Sequence, residues 1–230
     1  MVPSFAAALC RQDVAVIGEL KRRSPSRGLI NDAFDLPERA RSYTAAGAAA
    51  LSILTEPERF GGSLDDLRAA RAASTLPLLR KDFIVDRLQL LEARAAGASA
   101  VLLIARALAP SIFTSLASEA LRLGLEVLLE IRDERELDRA LGIEGAVIGI
   151  NNRNLETLAI DDVVSERLFP RLPGHRLAVY ESGIQGRASV ERAAELGADA
   201  ILVGSLLSAA GHGGDVLASL TGVKRRVRAP

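Results

Sequence analysis

The sequence has little of the chemistry on which disulfide-rich, metal-binding and membrane proteins depend. Its one cysteine, Cys10, cannot form a disulfide within the chain, which indicates a reducing compartment. Its two histidines, His175 and His212, lie near proline and glycine without a second ligand at helical spacing, so we expect no metal site. The apolar runs, such as residues 100–104, are far shorter than the ~20 residues that a membrane-spanning helix needs.

The chain also lacks an excess of charge of either sign, because 29 basic residues balance 29 acidic ones. This balance argues against binding to nucleic acid or to a membrane surface. A short basic tail at residues 224–228 is interpreted as a solvated end, with contact to nucleic acid as the weaker alternative. Residues 1–9 lack the basic start of a signal peptide, and we therefore expect a cytoplasmic protein.

Apolar runs that alternate with helical patterns are abundant. The chain has 230 residues, 49% of them hydrophobic, which is long enough for one large α/β domain and short for two. We predict strands at residues 14–17, 49–54, 76–79, 99–104, 125–129, 146–150, 177–180 and 200–203. We predict helices between and after them at residues 35–47, 63–73, 86–96, 110–123, 133–141, 161–169, 187–196 and 215–220. Continuous apolar strands of this kind are typical of parallel sheets that are covered on both faces.

This succession of strand–helix units predicts a closed (β/α)8 barrel. The open doubly wound sheet has less support, because no Gly-x-Gly-x-x-Gly segment follows the first predicted strand. We find no linker, low-complexity segment or second domain. The prediction is therefore a single (β/α)8 TIM-barrel domain over residues 1–230, with a short N-terminal segment.

Polar side chains follow the predicted strands at their carboxyl ends, where (β/α)8 barrels carry their active sites. Glu19 and Lys21 come first, and as residues i and i+2 of a strand they project to the same face. The later members of this series are Glu56, Lys81, Glu130, Asn151, Arg153, Glu181, Ser182, Gly204 and Ser205. Each alone is compatible with a structural ion pair or a turn. Together they predict a proton-transfer site, in which neighbouring acids and bases shift one another's pKa values apart.

Glycine and serine follow the last two predicted strands, as Ser182-Gly183 and Gly204-Ser205. Either pair in isolation indicates only a turn. After strands seven and eight of a barrel, however, the backbone N–H groups and hydroxyls of such loops bind phosphate. We therefore predict a phosphorylated small-molecule substrate.

Phe60 and Phe83 stand out in a chain with 3% aromatic residues. Phe60 is predicted in the loop after the second strand, and Phe83 lies two residues after Lys81. Burial in the core is the usual fate of phenylalanine. A wall for a flat apolar ring is the competing interpretation, because both residues lie beside polar strand ends.

With these residues identified, the sequence resembles the indole-3-glycerol phosphate synthase family of tryptophan biosynthesis between residues 14 and 207. The most specific stretches are Glu-x-Lys-x-x-Ser-Pro-Ser at residues 19–26 and Leu-Arg-Lys-Asp-Phe at residues 79–83. The resemblance implies a (β/α)8 carboxy-lyase without a cofactor or metal. Its reaction closes 1-(2-carboxyphenylamino)-1-deoxyribulose 5-phosphate into indole-3-glycerol phosphate, with loss of carbon dioxide and water. Association with other enzymes of the pathway is left open.

The resemblance also implies roles for individual residues. Lys81 would protonate the ketone during ring closure, and Glu130 would stabilise the cationic intermediate or act as a base. Lys21 and Glu19 would serve the dehydration, with Lys21 also close to the phosphate. The residues that position the substrate would be Asn151, Arg153 near the anthranilate carboxylate, Ser24 and Glu181; Phe60 and Phe83 would line the anthranilate pocket, and Ser182, Gly183, Gly204 and Ser205 would hold the phosphate.

The same chemistry can be argued without the family. Closure of a carbon–carbon bond onto a ketone needs a proton donor, and a lysine near other cations is expected to have a lowered pKa suited to that step. An iminium-like intermediate needs a carboxylate opposite it.

Two features depart from the family pattern. Only residues 1–13 precede Val14, so we expect the helix that covers the mouth in family members to be short or missing. Tyr180 stands where the family more often has a small residue. Its side chain would either crowd the barrel interior or fill space beside the seventh strand.

Two other functions remain open at this point. A sugar-phosphate isomerase barrel such as phosphoribosylanthranilate isomerase has similar phosphate loops. That family normally uses a Cys/Asp pair, and Cys10 lies before the first strand, where it is badly placed. A phosphate-binding barrel without catalysis is the other alternative, although the presence of Lys21, Lys81 and Glu130 argues against it.

Overall fold

The computed structural model describes residues 2–24, 28–29 and 35–228. The strands are β1 (Ala15–Leu20), β2 (Arg23–Ser24), β3 (Gly28–Leu29), β4 (Ala50–Leu54), β5 (Leu78–Lys81), β6 (Ala100–Ile104), β7 (Glu126–Ile131), β8 (Val147–Asn151), β9 (Ala178–Glu181) and β10 (Ala200–Val203). The helices are α1 (Phe5–Leu9), α2 (Leu36–Ala45), α3 (Pro57–Phe60), α4 (Leu64–Ala73), α5 (Arg87–Ala95), α6 (Pro110–Arg122), α7 (Glu134–Leu141), α8 (Val163–Leu168), α9 (Arg187–Glu195), α10 (Ser205–Ala209) and α11 (Gly213–Leu220). Within the described ranges, no helix is both long and apolar enough to cross a bilayer.

Eight parallel strands close into a barrel, in the spatial order β1-β10-β9-β8-β7-β6-β5-β4. The ring closes because β1 pairs with β4 on one side and with β10 on the other, where Ala15 lies opposite Ala200. Parallel neighbours need crossover connections, and the helices between the strands provide them. The predicted (β/α)8 barrel is therefore confirmed. The small strands β2 and β3 pair antiparallel within the connection between β1 and α2.

Both faces of the barrel strands are buried, which explains their continuous apolar sequences. Inward side chains such as Leu79, Leu102 and Leu128 form the cluster inside the barrel. Outward side chains such as Val16 and Leu103 belong to the cluster between the strands and the helices. The pattern with period two is present in every strand, but it is hidden in the sequence because both faces require apolar residues.

Helix α1 packs at the amino-terminal end of the barrel, which the sequence did not predict. Phe5 and Leu9 are fully buried in the cluster inside the barrel. The hydroxyl of Ser4 donates to the carboxylate of Glu126, the first residue of β7, at 2.7 Å. The described residues before β1 therefore close the end of the barrel opposite the strand carboxyl ends. They do not form the mouth cover that the resemblance led us to look for.

Five of the barrel strands, β1, β5, β7, β8 and β9, extend one to three residues beyond the predicted apolar runs, whereas β4, β6 and β10 end where the sequence predicts. The polar residues that the sequence placed after the strands therefore lie within β1, β5, β7, β8 and β9; they are Glu19, Lys81, Glu130, Asn151 and Glu181. The last inward position of a barrel strand faces the open mouth. Its side chain can therefore be polar while its backbone still hydrogen-bonds to both neighbouring strands.

Tyr180 points outward from β9 and does not crowd the barrel interior. Its side chain is buried, and its ring stacks on Phe169 with the ring centroids 6.2 Å apart. Its hydroxyl donates to Oδ1 of Asp162 at 3.0 Å. Of the two predicted positions for the side chain of Tyr180, the one beside the seventh barrel strand is therefore confirmed, and the one inside the barrel is wrong.

Candidate active site

One cavity of about 470 Å³ lies at the carboxyl ends of the barrel strands. Every predicted site residue with a described side chain lines it: Glu19, Lys21, Phe60, Lys81, Phe83, Glu130, Asn151, Arg153, Glu181, Ser182, Gly183, Gly204 and Ser205. The backbone of Ser24 lies in β2, but its side chain is outside the described part of the chain. The role of Ser24 therefore stays a prediction.

Glu19 and Lys21 form the ion pair that their spacing predicts. Nζ of Lys21 lies 2.6 Å from Oε1 of Glu19, and it also donates to the hydroxyl of Ser205 at 3.3 Å. A Cβ atom at Gly204 would lie 2.0 Å from Oε1 of Glu19, so a larger residue there would displace the carboxylate from its present position. This pair consequently links the end of β1 to the loop after β10, across the closure of the barrel.

Lys81 lies between two carboxylates of the cavity wall. Its Nζ is 3.4 Å from Oε2 of Glu181 and 3.6 Å from Oε2 of Glu130. Both carboxylates are almost completely buried. The ammonium is therefore held by two acids from different strands and has a defined position in the cavity.

Burial and neighbouring charges shift these pKa values in opposite directions. For Lys81, burial lowers the pKa, but the charges of Glu181, Glu130 and Glu19 outweigh that effect and raise it above the ordinary value. For Glu19, burial raises the pKa, whereas the charges of Lys21 and Lys81 bring it below the ordinary value. For Glu181, burial raises the pKa and Lys81 lowers it, with a net pKa of about 8. The expected lowered lysine pKa is wrong for Lys81, because its nearest neighbours are carboxylates and not cations.

We expect Glu181→Gln to make the stability of the fold less dependent on pH. A raised folded-state pKa means that stability from the protonated carboxyl is fully present below the ordinary pKa of 4.5 and is lost as pH rises through about 8. The difference in melting temperature between Glu181→Gln and the wild type should therefore shift in favour of the variant as the pH rises from 4.5 to about 8. Each kcal/mol should appear as roughly 2–4 °C.

The control is Glu191→Gln, because Glu191 is exposed on α9. Its melting temperature should follow the wild type at every pH. Parallel curves for Glu181→Gln and the wild type would contradict the raised pKa of Glu181.

Asn151 connects the ends of β8 and β9 through one side-chain oxygen. Its Oδ1 accepts from the hydroxyl of Ser182 at 2.8 Å and from the backbone N–H of Arg153 at 2.9 Å. Nη1 of Arg153 donates to the carbonyl of Leu158 at 2.7 Å. The amide and the guanidinium are therefore oriented by protein contacts before any ligand is present.

An aromatic wall stands beside Lys81. The rings of Phe60 and Phe83 are 6.5 Å apart and inclined at 45°, and the guanidinium of Arg59 lies 5.9 Å from the centre of Phe83. Phe60 ends the short helix α3 and is not in a loop as predicted. The carboxylate of Glu56 accepts from the backbone N–H groups of residues 58–60, so Glu56 caps this helix and fixes the position of Phe60.

The cavity is also lined by the glycine and serine residues predicted to bind phosphate. Ser182 and Gly183 both have left-handed backbones, with φ of 66° and 88°. Such a conformation is rare for serine and costs about 1–3 kcal/mol, which is typical of ligand-binding loops. Gly204 and Ser205 follow β10, with the ammonium of Lys21 next to them.

The sequence analysis missed the apolar lining of the cavity. Leu102 and Ile104 of β6 point inward, as do Leu155 and Ile160 of the loop after β8. The spacing of residues 102 and 104 could have identified the first two, because residues i and i+2 of a strand share a face. No sequence signal identifies Leu155 and Ile160, because their place depends on the folding of a loop.

A closed parallel barrel with lysines and carboxylates around a cavity at its strand carboxyl ends defines a (β/α)8-barrel enzyme with an acid–base site. Among the described residues, no group of three histidine, cysteine, aspartate or glutamate side chains is arranged to hold a metal ion. A family model described as "Indole-3-glycerol phosphate synthase" matches residues 2–218. The chain belongs to the indole-3-glycerol phosphate synthase family.

Curated relatives support this membership. The chain is 48% identical over 218 residues to "Indole-3-glycerol phosphate synthase 2" of Streptomyces coelicolor, covering 95% of this chain and 84% of the relative. It is 50% identical over 223 residues to "Indole-3-glycerol phosphate synthase" of a Nocardioides species, covering 97% and 84%. Both alignments include the strand ends that line the cavity.

Solved structures with little sequence similarity share the fold. The tryptophan synthase alpha chain of Legionella pneumophila superposes with a TM-score of 0.66 at 13% identity, covering 94% of each chain. The 3-hexulose-6-phosphate synthase of Salmonella typhimurium superposes with a TM-score of 0.70 at 14% identity, covering 90% of this chain and 96% of the other. At such low identity these similarities concern the barrel architecture alone.

Proposed function

We propose that this chain catalyses the indole-3-glycerol phosphate synthase reaction of tryptophan biosynthesis, with Lys81 as its general acid. The substrate is 1-(2-carboxyphenylamino)-1-deoxyribulose 5-phosphate, and the products are indole-3-glycerol phosphate, carbon dioxide and water. The observation that carries the proposal is the ammonium of Lys81 between Glu130 and Glu181, in the cavity of a family member. The same cavity offers an aromatic wall and serine–glycine loops to the two ends of this substrate.

Ring closure requires a proton donor at the ketone oxygen. The aryl carbon that bears the carboxylate attacks the ketone carbon, and Lys81 donates a proton to the oxygen as the new bond forms. The raised pKa keeps Lys81 charged in the free enzyme. It still allows transfer, because a developing alkoxide is more basic than an amine.

Closure leaves a positive charge on the nitrogen and its ring. Glu130, which is buried beside Lys81, stabilises this charge or acts as a base. When the carboxyl group leaves as carbon dioxide, the electrons of the broken carbon–carbon bond neutralise the cation. Dehydration follows: Lys21 protonates the departing hydroxyl, and the carboxylate of Glu19, 2.6 Å from Lys21, accepts the proton that the adjacent carbon loses as the indole double bond forms.

The rest of the cavity positions the substrate. Phe60 and Phe83 support the aryl ring, and Arg153 binds the anthranilate carboxylate while Asn151 orients its neighbours. Ser182, Gly183, Gly204 and Ser205 bind the phosphate through hydroxyl and backbone N–H groups. Glu181 binds substrate next to Lys81, and Ser24 is a further proposed contact.

A turnover assay tests the proposal. The purified chain is given the substrate, product fluorescence is followed, and calorimetry with a reduced, unreactive analogue measures binding separately. We expect both turnover and binding. Binding without turnover would favour the phosphate-binding barrel without catalysis, and absence of both would reject the proposed function.

The isomerase alternative is tested with phosphoribosylanthranilate in the same assay. We expect no isomerisation, because Cys10 is exposed at the end of α1, away from the cavity. Four further points stay predictions: a single domain over residues 1–230, a cytoplasmic location, activity without a cofactor, and association with other enzymes of the pathway.

A further inference from the structure

Leu158 has a backbone conformation that a leucine rarely adopts. Its φ is 60°, and the only other described non-glycine residue with positive φ is Ser182 of the cavity. The left-handed region costs an L-residue with a bulky side chain about 1–2 kcal/mol. Such strain persists only where surrounding contacts impose it, and it often marks a functional site.

The contacts around Leu158 fold residues 153–160 into a compact hairpin. Arg153 pairs with Ile160 in an antiparallel bridge, and the N–H of Asn154 donates to the carbonyl of Ala159 at 2.8 Å. The N–H of Leu158 donates back to the carbonyl of Asn154 at 2.8 Å. The left-handed residue directly follows the turn at residues 155–157 and completes the reversal of the chain, so that both arms of the hairpin meet.

The reversal turns the carbonyl of Leu158 towards a charged side chain. This carbonyl accepts from Nη1 of Arg153 at 2.7 Å. Arg153 lines the cavity together with Leu155 and Ile160 of the same hairpin. A free arginine side chain loses about 2 kcal/mol of rotamer entropy when it is fixed, so a guanidinium already held by a carbonyl binds a ligand at lower cost.

We propose that Leu158 is a positioning residue for recognition of the substrate carboxylate: its left-handed backbone aims a carbonyl at Arg153 and fixes the guanidinium before substrate arrives. The inference rests on the proposed function, in which Arg153 binds the anthranilate carboxylate. It concerns the backbone of Leu158, and its side chain acts only through the conformations that it permits.

Two substitutions separate the backbone from the side chain, because the two explanations rank them oppositely. Leu158→Asn removes an apolar side chain but tolerates the left-handed region, whereas Leu158→Val stays apolar and strongly disfavours that region. If the backbone matters, valine should raise KM about tenfold, equivalent to about 1.4 kcal/mol. Asparagine should have the smaller effect, and kcat should change less than KM in both variants. A smaller effect of valine would overturn the inference.

A double-mutant cycle with Arg153→Met tests whether Leu158 acts through Arg153. Adding Leu158→Val to Arg153→Met should have little further effect on KM, because the guanidinium that the carbonyl of Leu158 holds is already absent. Fully additive losses would overturn the inference. A wild-type KM for Arg153→Met alone would instead reject the carboxylate role of Arg153, so the two failures are distinguishable.

Melting temperatures of all variants show whether they are folded. Where Leu158→Val lowers the folded yield, Leu158→Ala replaces it, because alanine also disfavours the left-handed region. We expect the alanine variant to have a higher KM than the asparagine variant. The reverse order would count against the inference in the same way.

Discussion

Replacing Lys81 by methionine should lower kcat about 10²–10⁴-fold, the range that a positioned general acid contributes. Methionine keeps much of the length of the lysine side chain but cannot donate a proton to the ketone. The affinity for a reduced substrate analogue should change much less, because the aromatic wall and the phosphate loops are intact. The measurements are steady-state kinetics by product fluorescence and calorimetry with the analogue.

The matched control is Lys224→Met. The side chain of Lys224 is exposed, and its backbone forms an isolated antiparallel β-bridge with Asp13 at the amino-terminal end of the barrel. This variant should keep the wild-type kcat. Turnover of Lys81→Met at the wild-type rate would show that Lys81 is not the general acid. If calorimetry shows that Lys81→Met is unfolded, Lys81→Gln takes its place in the experiment.

Replacing Gly149 by alanine should lower kcat/KM by about 10²-fold, although Gly149 has no side chain that could take part in the reaction. A Cβ atom at this position in β8 would lie 2.0 Å from Oε1 of Glu181 and 3.2 Å from Cδ1 of Leu128. The carboxylate would have to move away from Lys81, from which it is now 3.4 Å. A displacement of about 1 Å at a reacting centre costs about 10²-fold in rate.

Overpacking should also lower the free energy of unfolding of Gly149→Ala by about 1–3 kcal/mol, which thermal denaturation would measure. Gly142→Ala at the end of α7 is the control, because its new Cβ would be 3.4 Å from the carbonyl of Arg139, an ordinary contact. That variant should be fully active. A fully active Gly149→Ala would show that the position of Glu181 beside Lys81 is unimportant.

The barrel and most of the cavity lining could be predicted because strand ends in a parallel barrel meet at one face. A polar residue directly after an apolar run, such as Lys81 or Glu130, can therefore be assigned to that face even when the tertiary contacts are unknown. The spacing of Glu19 and Lys21 likewise predicts their ion pair, because it depends on local strand geometry alone.

The features that could not be predicted depend on which groups meet across the fold. The pKa of Lys81 is raised by the charges of Glu181 and Glu130. Both residues come from strands far from Lys81 in the sequence, so local sequence patterns cannot predict how close they lie to its ammonium. The outward position of Tyr180 depends on space between β9 and the helices. Helix α1 is short, and its burial depends on the open end of the barrel rather than on its own pattern.

The contact of Lys21 with Ser205 joins the residue after β1 to the first residue of α10, beside the seam where β1 pairs with β10. These residues are separated by 184 positions in the chain, so their meeting is among the most non-local events in the molecule. An intermediate that has all its strands but has not joined this seam would have near-native circular dichroism and an incomplete centre for the proposed dehydration. Regained turnover in a refolding experiment would therefore report the joining of the seam, and secondary structure would not.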